Sequence, residues 1–387
     1  MKNKLLNLSL TIFILIINLI SFKAYSSEQF NFNVTEIEIL EDGNLIKGLK
    51  RGIISSESGI LIEADTFEYY KSSNVLNAIG NVKFIDKIND YEIYSDSVTY
   101  NSNNKKIITK NNSKAVYKKD IVIEGNIFEY DNFSNILNVI GNVKVIDKFK
   151  DYEIYSEGIT YDRNIEVIKT DGVTSFLIES KYDINSKNVF FNRKKNFLES
   201  VNKTTIKDKN SNLFILNEFN YQVNNEILKG KDIIIISNHN KPNSDKYFFS
   251  SGIIDLRKDR IIAKDPEITL HKNIFNNDEN DPRLSGVSSL KDGNLTIIEK
   301  GIFTSCKKND TCPPWSIKAE KITHDKKKKQ LEYKNAILQV YDLPILYLPK
   351  FFHPDPSVTR QSGLLKPQIN NSNILGNSYN IPYYKVL

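Results

Sequence analysis

Residues that could carry chemistry are scarce in this sequence. Its 387 residues include four His, two Cys and one Met. Asp65 and Asp96, like Glu63 and Glu124, stand at matching places of an internal repeat, and paired carboxylates can act as general acid and base. Because no His, Cys or Arg accompanies them in phase, we interpret them as turn-capping or solvated acids. The sequence therefore predicts no catalytic residue, no metal site, no cofactor and a protein that is not an enzyme.

The N-terminal 26 residues have the form of a secretory signal peptide. Two lysines precede an apolar run over residues 5–20, and the small residues Ala24 and Ser26 follow it at alternate positions. The run is too short and too interrupted by polar residues to span a bilayer core of roughly 30 Å comfortably. Cleavage is expected after about Ser26; an uncleaved membrane anchor is the alternative. The mature chain is expected to be exported.

The two cysteines, Cys306 and Cys312, lie close together, with five residues between them. There is no second Cys pair and no His at zinc-finger spacing, so in an oxidising compartment a disulfide is favoured over a zinc site. Closing a loop of about seven residues is worth roughly 2.4 kcal/mol by chain entropy. The predicted bridge fixes a local turn and does not hold domains together.

Composition points to a sheet protein. There are 20 Tyr and 21 Phe, 40% of the residues are hydrophobic and 26% are charged, which favours folded β-structure over disorder. The net charge of +6 is small for this length and no concentrated basic patch occurs. Nucleic-acid binding is therefore not predicted.

The middle of the chain repeats itself. Residues 62–100 align with residues 123–161 at an offset of 61, and about 25 of 39 positions are identical. A weaker half-period of about 31 residues gives an elementary motif of two short strands. Turns are predicted at residues 71–74, 89–90, 101–104 and 131–135. Weaker strand patterns follow, so the β region is expected to run from about Ile37 to about Leu270.

Bends are predicted inside these strands. Apolar residues on either side of Asp65 and Thr66 have opposite parity, and so do those on either side of Gly80 and Asn81. Bent antiparallel strands stacked along the chain give an all-β fold, an elongated folded-over antiparallel sheet that encloses an apolar slot and has open end strands. The alternative is a β-solenoid or sandwich with a filled core. The candidate slot-lining residues are Phe67, Val82, Phe84, Val98, Val143 and Val145.

The C-terminal part is rich in proline and carries a specific resemblance. The strings CPPWSIKAEKITHD at residues 312–325 and YKNAILQVYDLPILYLPKFFHPDPSVTRQSGLLKP at residues 333–367, with residues 376–384 ending in IPYY, resemble the junction region of the LPS-assembly outer-membrane protein family LptD, also called OstA. The family's short β motif also resembles the repeats, which it shares with the bridge proteins LptA and LptC. The junction residues are Trp315, Pro344, Pro349, Pro354, Pro356 and Arg360.

The resemblance implies a fold and a function. The fold is a β-jellyroll or β-taco of OstA-like repeats, joined through the Pro-rich junction to an outer-membrane barrel. Its slot takes lipopolysaccharide (LPS) from an LptA-like periplasmic bridge protein, which adds by its β-strand edge, and delivers it to the barrel, with an LptE-like lipoprotein as partner where a barrel is present. The expected location is the periplasmic face of the outer membrane. An exported structural β-repeat protein, such as an adhesin or surface-layer protein with a filled core, is the alternative from another class.

Three segments are expected along the chain. Residues 1–26 form the signal peptide, residues 27–300 the periplasmic β domain, and residues 301–387 the barrel-proximal junction with at most the first barrel strands. Because the sequence stops at Leu387, the barrel itself is expected to be missing, as in a truncated product or a periplasmic fragment. Widely spaced disulfide bridges to the barrel, which some family members use, are not expected here.

Overall fold

A computed structural model describes residues 29–271, 281–307 and 313–354, and further short stretches between 358 and 386. The predicted signal peptide, Cys312, Pro356 and Arg360 lie outside the described residues. The chain divides into two compact units. The first unit comprises the described residues up to Lys110 with Asp131–Phe133, and the second comprises Asn111–Tyr130 and the residues from Ser134 onward. The predicted boundary at residues 300–301 lies within one strand, Leu295–Thr304.

The described residues of both units are almost entirely β-strand, which confirms the predicted all-β class. The strands of the first unit, with one 3₁₀ turn at Glu41–Gly43, are β1 (Phe30–Asn33), β2 (Glu36–Leu40), β3 (Leu45–Leu49), β4 (Gly52–Ser56), β5 (Ile60–Ala64), β6 (Thr66–Tyr70), β7 (Val75–Asp86), β8 (Tyr91–Asn101) and β9 (Lys106–Lys110).

The second unit holds the remaining strands and a second 3₁₀ turn, at Val223–Asn225. Its strands up to residue 269 are β10 (Ser113–Tyr117), β11 (Ile121–Gly125), β12 (Ile127–Asp131, whose last residue belongs to the first unit), β13 (Ile136–Asp147), β14 (Tyr152–Asp162), β15 (Val167–Ile178), β16 (Tyr182–Lys187), β17 (Phe190–Asn192), β18 (Phe197–Ser200), β19 (Thr204–Asp208), β20 (Leu213–Gln222), β21 (Ile227–Ile236), β22 (Lys246–Asp255), β23 (Arg260–Lys264) and β24 (Glu267–Thr269).

Strands continue well past Leu270, where the sequence predicted the β region to end. They are β25 (Arg283–Ser285), β26 (Ser288–Asp292), β27 (Leu295–Thr304), β28 (Trp315–Asp325), β29 (Gln330–Val340), β30 (Leu343–Pro354), β31 (Gly363–Leu364), β32 (Gln368–Ser372), β33 (Gly376–Asn380) and β34 (Tyr383–Tyr384). β30 carries three prolines, which are rare in central strands, but in the described residues it pairs with β29 alone and is therefore an edge strand that tolerates them.

The predicted bends are present. The pairing of β7 with β8 shifts register between Ile79 and Val82, and β5 and β6 are separated at Asp65. In the second repeat, β13 shifts against β14 between Ile140 and Val143. Gly80 and Gly141 both have φ of +81°, a left-handed conformation that glycine adopts without a side-chain penalty.

Because the long strands bend at mid-length, their halves pair into two separate layers within a unit. In the first unit, wall A contains residues 75–79 and 97–101, and wall B contains residues 82–86 and 91–95. In the second unit, wall A contains residues 136–140 and 158–162, and wall B contains residues 143–147 and 152–156. Later strands of the second unit continue both walls through antiparallel pairs, as far as β29 with β30.

Polar side chains line the outside of the bends. The Asn81 amide donates to Asp65 Oδ2 at 2.8 Å in the first unit, and the Asn335 amide donates to Glu320 Oε2 at 2.5 Å in the second. Since these side chains are exposed and apolar residues point inward, the core of each unit lies between its walls. Among the described residues, no helix is long and apolar enough to cross a membrane.

Candidate functional site: the groove of the second unit

Large apolar side chains from the two walls meet inside each unit. In the first unit, the rings of Phe84 in wall B and Tyr100 in wall A lie 5.6 Å apart in an edge-on arrangement. In the second unit, Tyr152 of wall B meets Phe191 of wall A at 5.1 Å, and Tyr182 of wall B meets Tyr221 of wall A at 5.9 Å. These contacts hold the walls together by burial of apolar area.

The candidate slot residues all lie inside these cores, at most 2% exposed: Phe67, Val82, Phe84, Val98, Val143 and Val145. The first four lie in the first unit and the last two in the second. They face the predicted interior, but that interior is occupied by their own side chains and closed to water at these positions. Whether a ligand displaces them stays a prediction.

A cavity of about 390 Å³ opens elsewhere, between the walls of the second unit. Its apolar lining includes Phe214 and Ile235 of wall B and Ile254 and Ile261 of wall A. Polar turn residues, among them Asn212 and Asp259, form its rim. The cavity therefore joins an apolar interior to a polar opening. We call the open side of the second unit's groove the mouth. It is the gap between the wall A turns (163–166, 193–196, 223–226, 256–259, 293–294, 326–329) and the wall B turns (148–151, 179–181, 209–212, 237–245).

A charged cluster stands beside this cavity. The Lys326 ammonium, from a wall A turn, donates to Asp245 Oδ2 at 2.8 Å and to the Tyr247 hydroxyl at 3.1 Å, both in wall B. The His271 ring nitrogen Nδ1 lies 2.8 Å from Asp245 Oδ1. Burial alone would raise the pKa of Asp245, but Lys326 and His271 outweigh it and hold that pKa below its usual value. The carboxylate and the ammonium both stay charged at neutral pH.

The sequence did not predict this cavity. The wall B turn over residues 237–245 is nine residues long, whereas the neighbouring turns at 179–181 and 209–212 have three and four. The run SNHNKPNSD, with a proline and several turn-forming residues, was the available signal for a wider opening.

The junction residues are only partly described. Trp315 begins β28, and its indole packs on Phe303 with ring centroids 5.9 Å apart. Pro344, Pro349 and Pro354 lie in the edge strand β30, whose Leu343, Ile345, Leu346, Tyr347 and Phe352 side chains are half or more exposed.

The predicted disulfide stays a prediction. Cys306 Sγ lies 3.6 Å from the Trp315 carbonyl oxygen and has no disulfide partner within the described residues. Its expected partner, Cys312, lies outside them. Among the described residues, no three or more His, Cys, Asp or Glu side chains are grouped so that they could hold a metal ion.

Comparison with known proteins confirms the resemblance expected from the C-terminal strings and the repeats. The chain is 32% identical over 152 residues to the LPS-assembly protein LptD of Hahella chejuensis, which is 35% of this chain and 19% of that protein. It is 36% identical over 96 residues to that of Pseudoalteromonas translucida (23% and 12%) and 34% over 88 residues to that of Legionella pneumophila strain Paris (23% and 10%). The matches thus span less than a fifth of each relative. No protein-family model matches the chain.

Among solved structures, the chain is similar to LptH of Pseudomonas aeruginosa, described as the LptA-homologous periplasmic component of the lipopolysaccharide transport device. That match has 13% identity and a TM-score of 0.19, and covers 37% of this chain and 82% of LptH. The printed descriptions of these relatives name assembly and transport proteins.

Proposed function

We propose that this chain is a lipopolysaccharide transport and assembly component, which receives LPS from a periplasmic bridge protein in the groove between its walls and delivers it toward the outer membrane. The observation that supports this is the cavity of about 390 Å³, lined by Phe214, Ile235, Ile254 and Ile261 and opening at the mouth. Each acyl methylene that leaves water there gains about 0.8 kcal/mol. The polar rim and Lys326 leave the sugar and phosphate groups of such a lipid in contact with water.

Site-specific photocrosslinking in cells tests the proposal at Ile261. This side chain lines the cavity and is 6% exposed, whereas its neighbour Ile262 points to the opposite face and is 56% exposed. A photoreactive residue at Ile261 should form adducts with LPS, and the matched control at Ile262 should not. A folded protein with no LPS adduct from Ile261 or Ile254, or with equal adducts from Ile262, would overturn the proposal.

One observation favours a second candidate, an exported structural protein with a filled β-core. The six candidate slot residues are buried against their own neighbours, as with Phe84 against Tyr100. Photoreactive residues at Phe67, Val82, Val98 and Val143 separate the two functions. If these positions and the cavity positions all fail to give LPS adducts, the structural protein is the better account.

The N-terminal edge supports docking of an LptA-like bridge protein by strand addition. In the described residues β2 pairs with β3 alone, and all five of its residues are exposed, including Ile37 and Ile39. A free edge with apolar side chains is a template for another strand. A photoreactive residue at Ile39 should capture a purified bridge protein, and the same residue at Ile262 should not; equal capture would argue against edge addition.

The proposed location is the periplasmic face of the outer membrane, after export. Cell fractionation tests this, because recovery of the chain in the cytoplasm would contradict it.

An LptE-like lipoprotein partner is part of the same proposal, and co-purification with outer-membrane lipoproteins would test it.

A further inference from the structure

The mouth of the second unit is crossed by a buried arginine. Arg193 lies in a wall A turn, and its guanidinium reaches across to wall B. Its Nη2 donates to Asp147 Oδ2 at 2.6 Å and its Nε to the Tyr152 hydroxyl at 2.7 Å, both in wall B. Its Nη1 donates to the Tyr161 hydroxyl of wall A at 2.7 Å. One side chain thus ties the two walls together at this level of the groove.

The ion pair of Arg193 and Asp147 is well shielded from water. Arg193 is 6% exposed and Asp147 is 2% exposed. A second tie runs in the opposite direction, because the Lys150 ammonium of wall B donates to the Arg193 carbonyl oxygen and to Asn196 Oδ1 of wall A. Beneath these contacts, Phe191 packs on Tyr152 and on Phe176 at 5.5 Å. The mouth here is closed by polar groups above a closed apolar interior.

Further cross-mouth contacts stand on both sides of the cavity. The Tyr182 hydroxyl of wall B donates to Glu226 Oε2 of wall A at 2.8 Å, and Lys326 of wall A donates to Asp245 of wall B. The cavity therefore lies where the mouth is open, between places where it is fastened. An acyl chain in the cavity cannot move along the groove toward Arg193 unless the walls separate there.

An ion pair suits a reversible fastening better than an apolar seam does. On opening, both charges regain water, so the attraction that is lost is largely offset by hydration, and a buried pair contributes little net free energy. An apolar seam of the same area would lose about 25 cal/mol for each Å² exposed, with no such offset. The guanidinium also stays charged at any physiological pH, so it always demands either its carboxylate or water.

We propose that Arg193 and Asp147 form a latch that keeps the mouth of the second unit closed at this level, and that this latch releases when a lipid acyl chain passes along the groove. The lipid passenger rests on the proposed function; the latch itself is a property of the free protein. The two can therefore fail separately.

Distance measurement between spin labels tests the latch without any lipid. Labels at Phe149→Cys in wall B and Lys194→Cys in wall A sit on exposed turns that flank the pair, with Cys306 and Cys312 replaced by serine in the full chain. Pulsed electron resonance should give one narrow distance distribution in this parent. Arg193→Met, which keeps most of the apolar volume, should add a population at longer distances, whereas the exposed neighbour change Lys195→Met should not.

An unchanged distribution in folded Arg193→Met protein would overturn the latch. If that variant fails to fold, Tyr152→Phe removes one wall B acceptor at nearly constant volume and should give a smaller population at longer distance. An unchanged distance distribution in Tyr152→Phe would also overturn the latch.

Photocrosslinking at Ile154, buried in wall B beside this level, gives the second readout. LPS adducts there should increase severalfold in Arg193→Met. Wider distances without adducts at Ile154 or Ile261 would uphold the latch and contradict the lipid passenger.

Discussion

The two repeats, residues 62–100 and 123–161, share most of their residues and their bends, yet the contacts of the turns at the open ends of their wall B strands differ. Asp86 in the first repeat and Asp147 in the second both end a wall B half-strand, and Oδ1 of each accepts two backbone N–H groups of the following turn. Asp86 Oδ2 accepts from the Asn89 amide of its own turn at 2.7 Å. Asp147 Oδ2 instead accepts from Arg193, 46 residues later.

Two substitutions in the turns accompany this difference. The residue that corresponds to Asn89 is Lys150, which has no short amide to offer the carboxylate and extends across the mouth instead. The position 61 residues before Arg193 is Asn132, so the first repeat also lacks an arginine at the matching place. The bends are thus a property of the repeat, whereas closure of the mouth is set by a few turn residues that vary between copies.

The largest expected effect comes from a core position at which the side chains of the two repeats differ strongly in size. Phe84, 0% exposed, packs on Tyr100, and its counterpart is Val145, also 0% exposed. Phe84→Ala should lower the free energy of unfolding by about 3–5 kcal/mol, because it leaves a large cavity between the walls. Val145→Ala should lower it by about 2 kcal/mol, since fewer methyl groups are removed. Urea titrations followed by circular dichroism measure both, and equal losses would contradict a larger contribution from the Phe84 ring.

The two aspartates should also differ in their contribution to stability. Asp147→Ala removes the buried carboxylate of the pair and leaves the Arg193 guanidinium only the half-exposed Glu166 Oε2, 3.7 Å from Nη1, so we expect a loss of about 3 kcal/mol. Asp86→Ala removes only a local turn cap, and we expect about 1–2 kcal/mol. The same urea titrations provide the comparison. If both variants lost the same free energy of unfolding, the ion pair of Asp147 and Arg193 would contribute no stability beyond that of the turn hydrogen bonds.

The bends, in contrast, should respond alike in both repeats. A Cβ at Gly80 would lie 2.5 Å from Asp65 Oδ2, and one at Gly141 would lie 2.5 Å from Asn126 Nδ2, each at φ of +81°. Alanine at either position should therefore cost about 1–3 kcal/mol. Gly43→Ala is the control, because Gly43 also has a positive φ but nothing within 4 Å of the added Cβ. A marked difference between Gly80→Ala and Gly141→Ala would contradict a shared bend.

The sequence predicted what depends on neighbouring residues. Side-chain parity on either side of Asp65 and Gly80 located the bends, because a bend reverses which side chains face inward within the same strand. The latch could not be predicted in this way, since Asp147 and Arg193 meet only after several strands have stacked, and Arg193 stands in a weakly patterned stretch. The cavity could not be predicted either, because residues that line it, such as Asn212 and Asp259, are far apart in sequence and meet only when both walls are in place.

The smallest expected effect concerns titration at the bends, where the first repeat has Asp65 and the second has Asn126. The Asn81 amide and the Arg51 guanidinium, each 2.8 Å from the carboxylate, hold the pKa of Asp65 below its ordinary value. A carboxyl whose pKa is lower in the folded state stabilises the protein above its unfolded pKa, and this contribution is lost as pH falls through the folded pKa. Nuclear magnetic resonance should therefore show Asp65 titrating with a pKa below about 3.9, the value of an unperturbed aspartate.

Asp65→Asn gives the first repeat the residue of the second, and it should remove this component from the acid dependence of stability while leaving the bend in place. Since the Asp65 side chain is exposed and screened by water, the change in the acid dependence of stability should be small. An ordinary pKa for Asp65, or an acid dependence that Asp65→Asn leaves unaltered, would show that the polar contacts at the bend do not distinguish the two repeats.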